Sequence, residues 1–467
     1  MDMMINGKHA RAKETFDVLN PATLERVGTA PRSGPEELER AVSAARAAQM
    51  VWCRRDVATR REALRKGAAL IRENLPEIAR ILTLEQGKPL AESMMEVGIA
   101  AAFFESFASL DFEGEALKQD DANLVKLLRK PLGVVATITP WNFPLAILSW
   151  KLAPAILVGN AVISKPASFT PLSTLKLIEV LNQALPPGVL NSLSGPGSIG
   201  AAMAEHPEIR KISFTGSVEV GRGVMRGASE HVKRLTLELG GNDPAIVLDD
   251  VDVDKVAPQI FGTAFMNAGQ ICIAIKRVYA HERVYPQLAS KLAEIAKVWK
   301  VGPGIEPGTQ MGPVNNKPQL EFVEELIEDA RKRGGRILAG GEGLAGAKGY
   351  FLKPTIVTEI DDSARLVAEE QFGPALPILP FREIEDAVKR ANDTIFGLGA
   401  SVWGGDVERA TAVAAELEAG TTWVNQHLKL EPDVPFGGRK QSGLGRELGI
   451  WGLEEFCEIQ VLSAKIQ

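Results

Sequence analysis

The sequence predicts an α/β protein built on two mostly parallel sheets. Two observations carry this. In the middle of the chain, short apolar runs rich in β-branched residues alternate with helix-like segments, and a similar alternation returns between about residues 277 and 425. Alternation at this pace makes βαβ units. The composition agrees: of 467 residues, 45% are hydrophobic and 24% charged, as in an ordinary globular chain with a large core. At roughly 150 residues per domain, two or three domains are expected. Sheets of this kind bind ligands in the crevice at the carboxyl ends of their strands.

Taken in order, the first 110 residues read as mostly helical. Pro35 followed by Glu36 and Glu37 is a helix start, with acids at the positive end of the dipole. Leu38, Val42 and Ala45 then recur at helical spacing, and 57–110 continues with amphipathic stretches. Residues 131–150 (PLGVVATITPWNFPLAILSW) carry no charge and are long enough to cross a bilayer. Pro131, Pro140 and Pro144 would break such a helix, so the segment reads as a buried strand, a loop and a buried helix, and no membrane span is expected. Strands are predicted at Val134–Ile138, Ala161–Ser164, Val189–Ser192, Lys211–Phe214 and Ala245–Leu248, with helices near 145–158, 171–184 and 198–205. The second α/β unit has strands near Arg277–Ala280, Tyr350–Ile356 and Thr421–Val424. Two further segments, ANLVKLLR (122–129) and IQVLSAKI (459–466), read as added strands, either local edges or pairs across a subunit boundary.

Charge and cysteine content exclude several function classes. Lys plus Arg number 53 and Asp plus Glu 59, a net charge of −6, which argues against nucleic-acid binding. Cys53, Cys272 and Cys457 are too few and too scattered for a disulfide framework, and no cluster has metal-ligand spacing, so no metal is expected. A reducing cytoplasm follows, and MDMMINGKHARAKETF lacks the apolar stretch of a secretory signal.

Cys53 and Cys457 read as buried, inert thiols. Cys272 lies in FMNAGQICIAIKR, where Gly269 lets the backbone bend and present N–H groups that would lower a thiol pKa. Glu238, in LELGGN (237–242), is either a strand-end glutamate facing water or a partly buried base. Asn142, in the rigid turn TPWNFP (139–144), either bonds its own loop or aims its amide at developing negative charge. Two glycine-rich segments compete for a dinucleotide. Gly195–Gly200 fits G-x-G-x-x-G, but with Pro196 in the turn and no clear strand-end acid about 20 residues on. FTGSVEVG (214–221) follows a strand and opens a helix, with Gly216 allowing close backbone approach and Ser217 capping.

Seven segments in order, TPWNFP, KPAS, FTGS, LELGG, GQICIA, EEQFGP and PFGGRKQSG, make the chain similar to the NAD(P)-dependent aldehyde dehydrogenase superfamily over nearly its whole length. The resemblance implies a Rossmann-like cofactor domain (1–115 and 132–238), an α/β catalytic domain (239–440) and a small β oligomerisation extension (116–131 and 455–467). It implies that Cys272 is the nucleophile, that the Asn142 amide and the Cys272 N–H hold the oxyanion, and that Glu238 activates water to hydrolyse a thioester. It puts Trp141, Lys165, Ser168, Gly216, Ser217, Glu370 and Phe372 at the cofactor, with the Gly195–Gly200 loop flanking the adenine. Many NAD-preferring members have Glu where this chain has Ser168, so the cofactor is NAD or NADP. Val218 also replaces a common threonine. The substrate tunnel implied by the resemblance runs along Phe143, Ile147, Trp150, Ile271 and Ile273 to a mouth near His427, Leu428, Leu430 and Phe436. This mostly apolar lining suggests an aromatic or medium-length aliphatic aldehyde. The alternatives are a CoA-acylating member, a semialdehyde-specific one, or a noncatalytic binding protein. A homodimer or homotetramer is implied.

Overall fold

The computed structural model describes residues 1–466. Five sheets organise the chain. The first large sheet has six strands, in spatial order Gly443–Leu444, Arg234–Glu238, Ile209–Thr215, Val134–Ile138, Ala161–Lys165 and Leu190–Ser192. All neighbours are parallel except the Gly443–Leu444 edge. From Val134–Ile138 the chain builds outward to Leu190–Ser192, then crosses back and builds the other way. The topological switch therefore falls between Val134–Ile138 and Ile209–Thr215, where an open α/β sheet offers its ligand crevice. Successive strand residues point to opposite faces. Val134, Ala136 and Ile138 pack on one side with the helix Pro35–Trp52, and Val135 packs on the other with Val57–Glu73 and Pro144–Val158. With both faces covered, Val134–Ile138 and Ala161–Lys165 are buried at every position.

The second large sheet has seven strands, ordered Arg336–Ala339, Thr355–Thr358, Ala375–Phe381, Ile275–His281, Asp243–Val247, Gly399–Trp403 and Thr421–Val424. Only its first pair is antiparallel. A three-stranded antiparallel sheet joins Cys457–Lys465, Asn123–Pro131 and Glu115–Gln119. Gln467, the last residue of the expected extension, lies outside the described residues.

The fold differs from the sequence reading at identifiable places. Residues 3–32 form two antiparallel hairpins, Met3–Ile5 with Lys8–Ala10 and Glu14–Leu19 with Arg26–Arg32, before the helices begin at Pro35. The outer hairpin is largely exposed, so it lacks the apolar alternation that marks a half-buried strand. The strand expected at Tyr350–Ile356 starts only at Thr355. The uncharged segment 131–150 forms a strand, a loop and a helix start. No helix of the described residues is long and apolar enough to cross a membrane.

Candidate active site

Three strand ends and one strained turn converge between the large sheets. The TPWNFP turn leaves Val134–Ile138, Gly216 and Ser217 leave Ile209–Thr215, and Glu238 ends its own strand. Cys272 arrives from the other side, after the helix Val253–Phe265 and a 3₁₀ turn. In that turn Asn267, Ala268 and Gly269 adopt φ of 49°, 55° and 70°. Non-glycine residues pay about 1 kcal/mol or more each for this left-handed conformation, so surrounding contacts must hold it. They do. Asn267 donates to the Asn142 carbonyl (3.1 Å), Gln270 to the Asn267 carbonyl (2.8 Å), and Asn315 N–H to Gln270 Oε1 (2.8 Å). A Cβ on Gly269 would stand 2.4 Å from the Gly373 carbonyl oxygen, which requires glycine there.

Asn142 is buried, and its Nδ2 donates to the Gln270 carbonyl (2.9 Å), leaving a second N–H for the space beside Cys272. Its loop is clamped from behind. Lys88, fully buried, donates to the Asn142 carbonyl (2.7 Å) and to Glu96 (2.6 Å), with its ammonium 3.6 Å from the Phe143 ring centre. Glu96 in turn accepts from the Leu145 N–H (2.8 Å) at the start of the helix Pro144–Val158.

Glu238 is 1% exposed, and neither carboxylate oxygen has a hydrogen-bond partner. Burial first, then the negative charge of Glu447, pushes its pKa up to about 8; Lys151 opposes, and so does the Cys272 thiol, which faces the carboxylate without forming a hydrogen bond of good geometry. Lys151 and Glu447 form a buried ion pair behind it, with Ser213 Oγ 3.1 Å from the ammonium. Burial, then the charge of Glu238, holds the Cys272 thiol well above the ordinary thiol range. The lowered thiol pKa expected from local N–H groups is thus not what this environment produces: burial and the charges of three carboxylates outweigh the one cation, Lys276, that acts the other way.

Two cavities meet here. One, of about 410 Å³, is lined by apolar side chains: Phe143, Ile147, Trp150, Ile271, Ile273, Leu428, Leu430 and Phe436, together with Met95, Ile99, Ala102, Phe103, Ala146, Met266 and Pro432. The other, of about 270 Å³, is lined by Trp141, Thr215, Gly216, Ser217, Glu238, Glu370 and Phe372, among others. Asn142 and Cys272 line both. His427, expected near the tunnel mouth, does not line the apolar cavity. It is buried beneath the nucleophile's loop, its Nε2 2.7 Å from the Ile273 carbonyl and 3.7 Å from Asp243, and burial drives its pKa down to about 3.

The second cavity fits a dinucleotide. It opens at the switch point of the first sheet. Ser217 caps the helix Val218–Ser229 and lines the cavity, so the positive end of that helix borders it, and a Cβ on Gly216 would fall 2.5 Å from the Phe214 ring. Lys165, 5% exposed, donates to the Pro166 carbonyl (3.0 Å) and pairs with no carboxylate of the described residues; burial lowers its pKa to about 8. Ser168 donates to the Gly195 carbonyl (2.7 Å), and the Cβ position of Gly200 lies 3.6 Å from Lys165 Cδ, so the Gly195–Gly200 loop flanks these two residues. Trp141 and Phe372 meet edge to face, 5.3 Å between ring centres.

A family model for the aldehyde dehydrogenase family matches residues 8–462. The chain belongs to the aldehyde dehydrogenase family. It is 39% identical over 470 aligned residues to the glutarate-semialdehyde dehydrogenase of Pseudomonas putida, covering 99% of this chain and 97% of that one. It is 38% identical over 467 residues to mouse retinaldehyde dehydrogenase 3, covering 98% and 91%. The NAD+ complex of an aldehyde dehydrogenase from Bacillus cereus superposes with a TM-score of 0.97 at 37% identity, covering 100% of this chain and 97% of that one. This enzyme is therefore an NAD(P)-dependent aldehyde dehydrogenase working through a catalytic cysteine.

Sequence reasoning missed the buried ions that surround the site: Lys88, Glu96, Lys151, Lys276 and Glu447. Lys151 left a signal, as the one charged residue in the helix PLAILSWKLAPAILV. An isolated lysine in an apolar helix needs a buried partner.

Proposed function

We propose that this aldehyde dehydrogenase oxidises an apolar aromatic or medium-length aliphatic aldehyde to its acid, with NAD or NADP, using Cys272 as nucleophile, Asn142 as oxyanion donor and Glu238 as base. The observation that carries the reading is that Cys272 and Asn142 stand at the junction of an apolar cavity and a polar crevice. The aldehyde carbon meets the sulfur from the apolar side. The thiol gives up its proton to solvent through the polar crevice, and the thiolate forms the C–S bond. The resulting hemithioacetal oxygen is held by the Asn142 amide and the Cys272 N–H, donors worth about 3 kcal/mol each when preorganised. The chemistry supplied by NAD(P), when bound, is acceptance of a hydride from that carbon. Glu238 in its ionised form then takes a proton from the water that attacks the Cys272 thioester. Its partnerless oxygens suit that role.

Lys165, Ser168, the Gly216–Ser217 turn, Glu370, Phe372 and Trp141 would hold the cofactor. Ser168 presents no carboxylate to repel a 2′-phosphate, so NADP is accepted as well as NAD. We read the first large sheet as the dinucleotide-binding domain and the second as the catalytic domain. The three-stranded sheet exposes Ile459 and Val461 on one face and Leu462 on the other, apolar side chains suited to contact with a second copy in a homodimer or homotetramer.

The similarity to glutarate-semialdehyde dehydrogenase favours a second reading, an anionic semialdehyde substrate. Against it, no side chain lining the apolar cavity carries a charge to receive a distal carboxylate. A panel of benzaldehyde, hexanal and succinic semialdehyde, each with NAD and NADP, decides. Higher kcat/KM for the two apolar aldehydes is expected, and a clear preference for the semialdehyde overturns the main reading. Cys272→Ala is expected to abolish turnover while leaving NAD(P) binding intact.

A further inference from the structure

We propose that Lys276 is a positioning residue that fixes the oxyanion N–H of Cys272 and ties the nucleophile's loop to Glu370 in the cofactor crevice. The proposal rests on reading Cys272 as the nucleophile. Lys276 sits at the start of the strand Ile275–His281 and is 1% exposed. A buried ammonium has three protons to place. Two find main-chain carbonyls, Ile271 at 2.8 Å and Cys272 at 2.6 Å, and Glu370 Oε1 stands 3.5 Å from the ammonium as its ion-pair partner.

The first of these bonds has a geometric consequence. The Ile271 carbonyl and the Cys272 N–H belong to one peptide unit, and no peptide in the described chain is cis. In a planar trans peptide the C=O and N–H point in opposite directions. By holding the Ile271 oxygen, Lys276 turns the Cys272 N–H away from itself. The second bond fixes the next peptide unit, so the sulfur's own residue is gripped on both sides. The backbone opposite is close: a Cβ on Gly241 would lie 2.6 Å from the Cys272 carbonyl oxygen, and the Gly241 N–H donates to the same Glu370 oxygen (3.0 Å). Lys276, Glu370, Gly241 and the nucleophile's loop are one packed unit.

Electrostatics acts in the same sense. The charges of Glu238, Asp243 and Glu370, from three separate segments, push the Cys272 thiol up, and that of Lys276 pulls it down. His427, beside Asp243, stays neutral. Lys276 is the single cation opposing three acids at the sulfur.

The test uses the cofactor-free full-length enzyme. Alkylation of Cys272 by iodoacetamide, located by peptide mass, is followed from pH 6 to 10 in the wild type, Lys276→Met, Lys276→Arg and Glu370→Gln. Thiolate is the reactive form, so a one-unit rise in thiol pKa slows alkylation about tenfold below the midpoint. Lys276→Met is expected to slow alkylation about tenfold across this range and, with cofactor and aldehyde added, to slow the NAD(P)H burst roughly 100-fold, the cost of a misplaced oxyanion donor, with aldehyde KM little changed. Lys276→Arg is expected to restore the alkylation profile, and Glu370→Gln to shift it the opposite way, to faster reaction. A folded Lys276→Met enzyme with wild-type alkylation and burst overturns the proposal. Where that variant fails to fold, an unshifted profile in Glu370→Gln overturns it. Normal turnover in Cys272→Ala removes the nucleophile assignment itself, a failure distinct from either.

Discussion

The burial of Glu238 makes the last chemical step pH-dependent in a defined direction. Its carboxyl is pushed from an ordinary value of 4.5 to about 8, first by burial and second by the charge of Glu447. The base form is the ionised one, so hydrolysis of the Cys272 thioester is present above pH 8 and lost as pH falls through it. With a pKa near 8, the ionised fraction is roughly a tenth at pH 7 and roughly nine-tenths at pH 9, about a tenfold rise in deacylation rate. Glu447→Gln removes the second cause and frees Lys151 of its ion-pair partner, so the midpoint moves down and the rate at pH 7 rises. The assay is stopped-flow: the burst of NAD(P)H reports acylation, and the steady phase under saturating aldehyde reports deacylation. Glu238→Gln is expected to keep the burst and lose the pH-dependent steady phase. A steady phase flat from pH 6 to 9, or one that titrates near 4.5, would refute the assignment of Glu238 as the base.

Two further outcomes follow from the site. Asn142→Ala removes one oxyanion donor and should lower kcat by about 10²–10³-fold with NAD(P) affinity unchanged, measured by initial rates and cofactor titration. Ser168→Glu places a carboxylate beside the Gly195–Gly200 loop and, with the adenosine bound there as proposed, should shift the NAD/NADP ratio of kcat/KM toward NAD by about tenfold or more.

The parts of the fold that could be read in advance are those where both sheet faces are buried. Val134–Ile138 and Ala161–Lys165 are apolar over most of their length and buried at every position because helices cover both sides. Elsewhere the sequence hides its strands. Ala375–Phe381 (ALPILPF) carries two prolines, which argue against a strand, yet it pairs on both sides, with Pro377 opposite Val357 and Pro380 opposite Ala280. The segment Gly399–Trp403 opens on small residues, and Arg336–Ala339 is only four long. In the site, Cys272, Glu238 and Asn142 were found through motifs, since nothing in their spacing along the chain states that they meet. His427 was misplaced because an apolar neighbourhood in sequence does not say which side of a loop a ring takes. Lys276, in IAIKR, carries no mark in the sequence of where its ammonium goes. Its role is legible only once its ammonium is seen buried against two main-chain carbonyls.

Glu238 borders the polar crevice and is absent from the walls of the apolar cavity. The sulfur is thus served by two separate doors. An acyl tail extends into one, while the hydrolytic water is activated behind the other. A bulkier tail fills its own chamber without corking the water supply, so side-chain size should govern how fast the acyl group is loaded far more than how fast it is discharged.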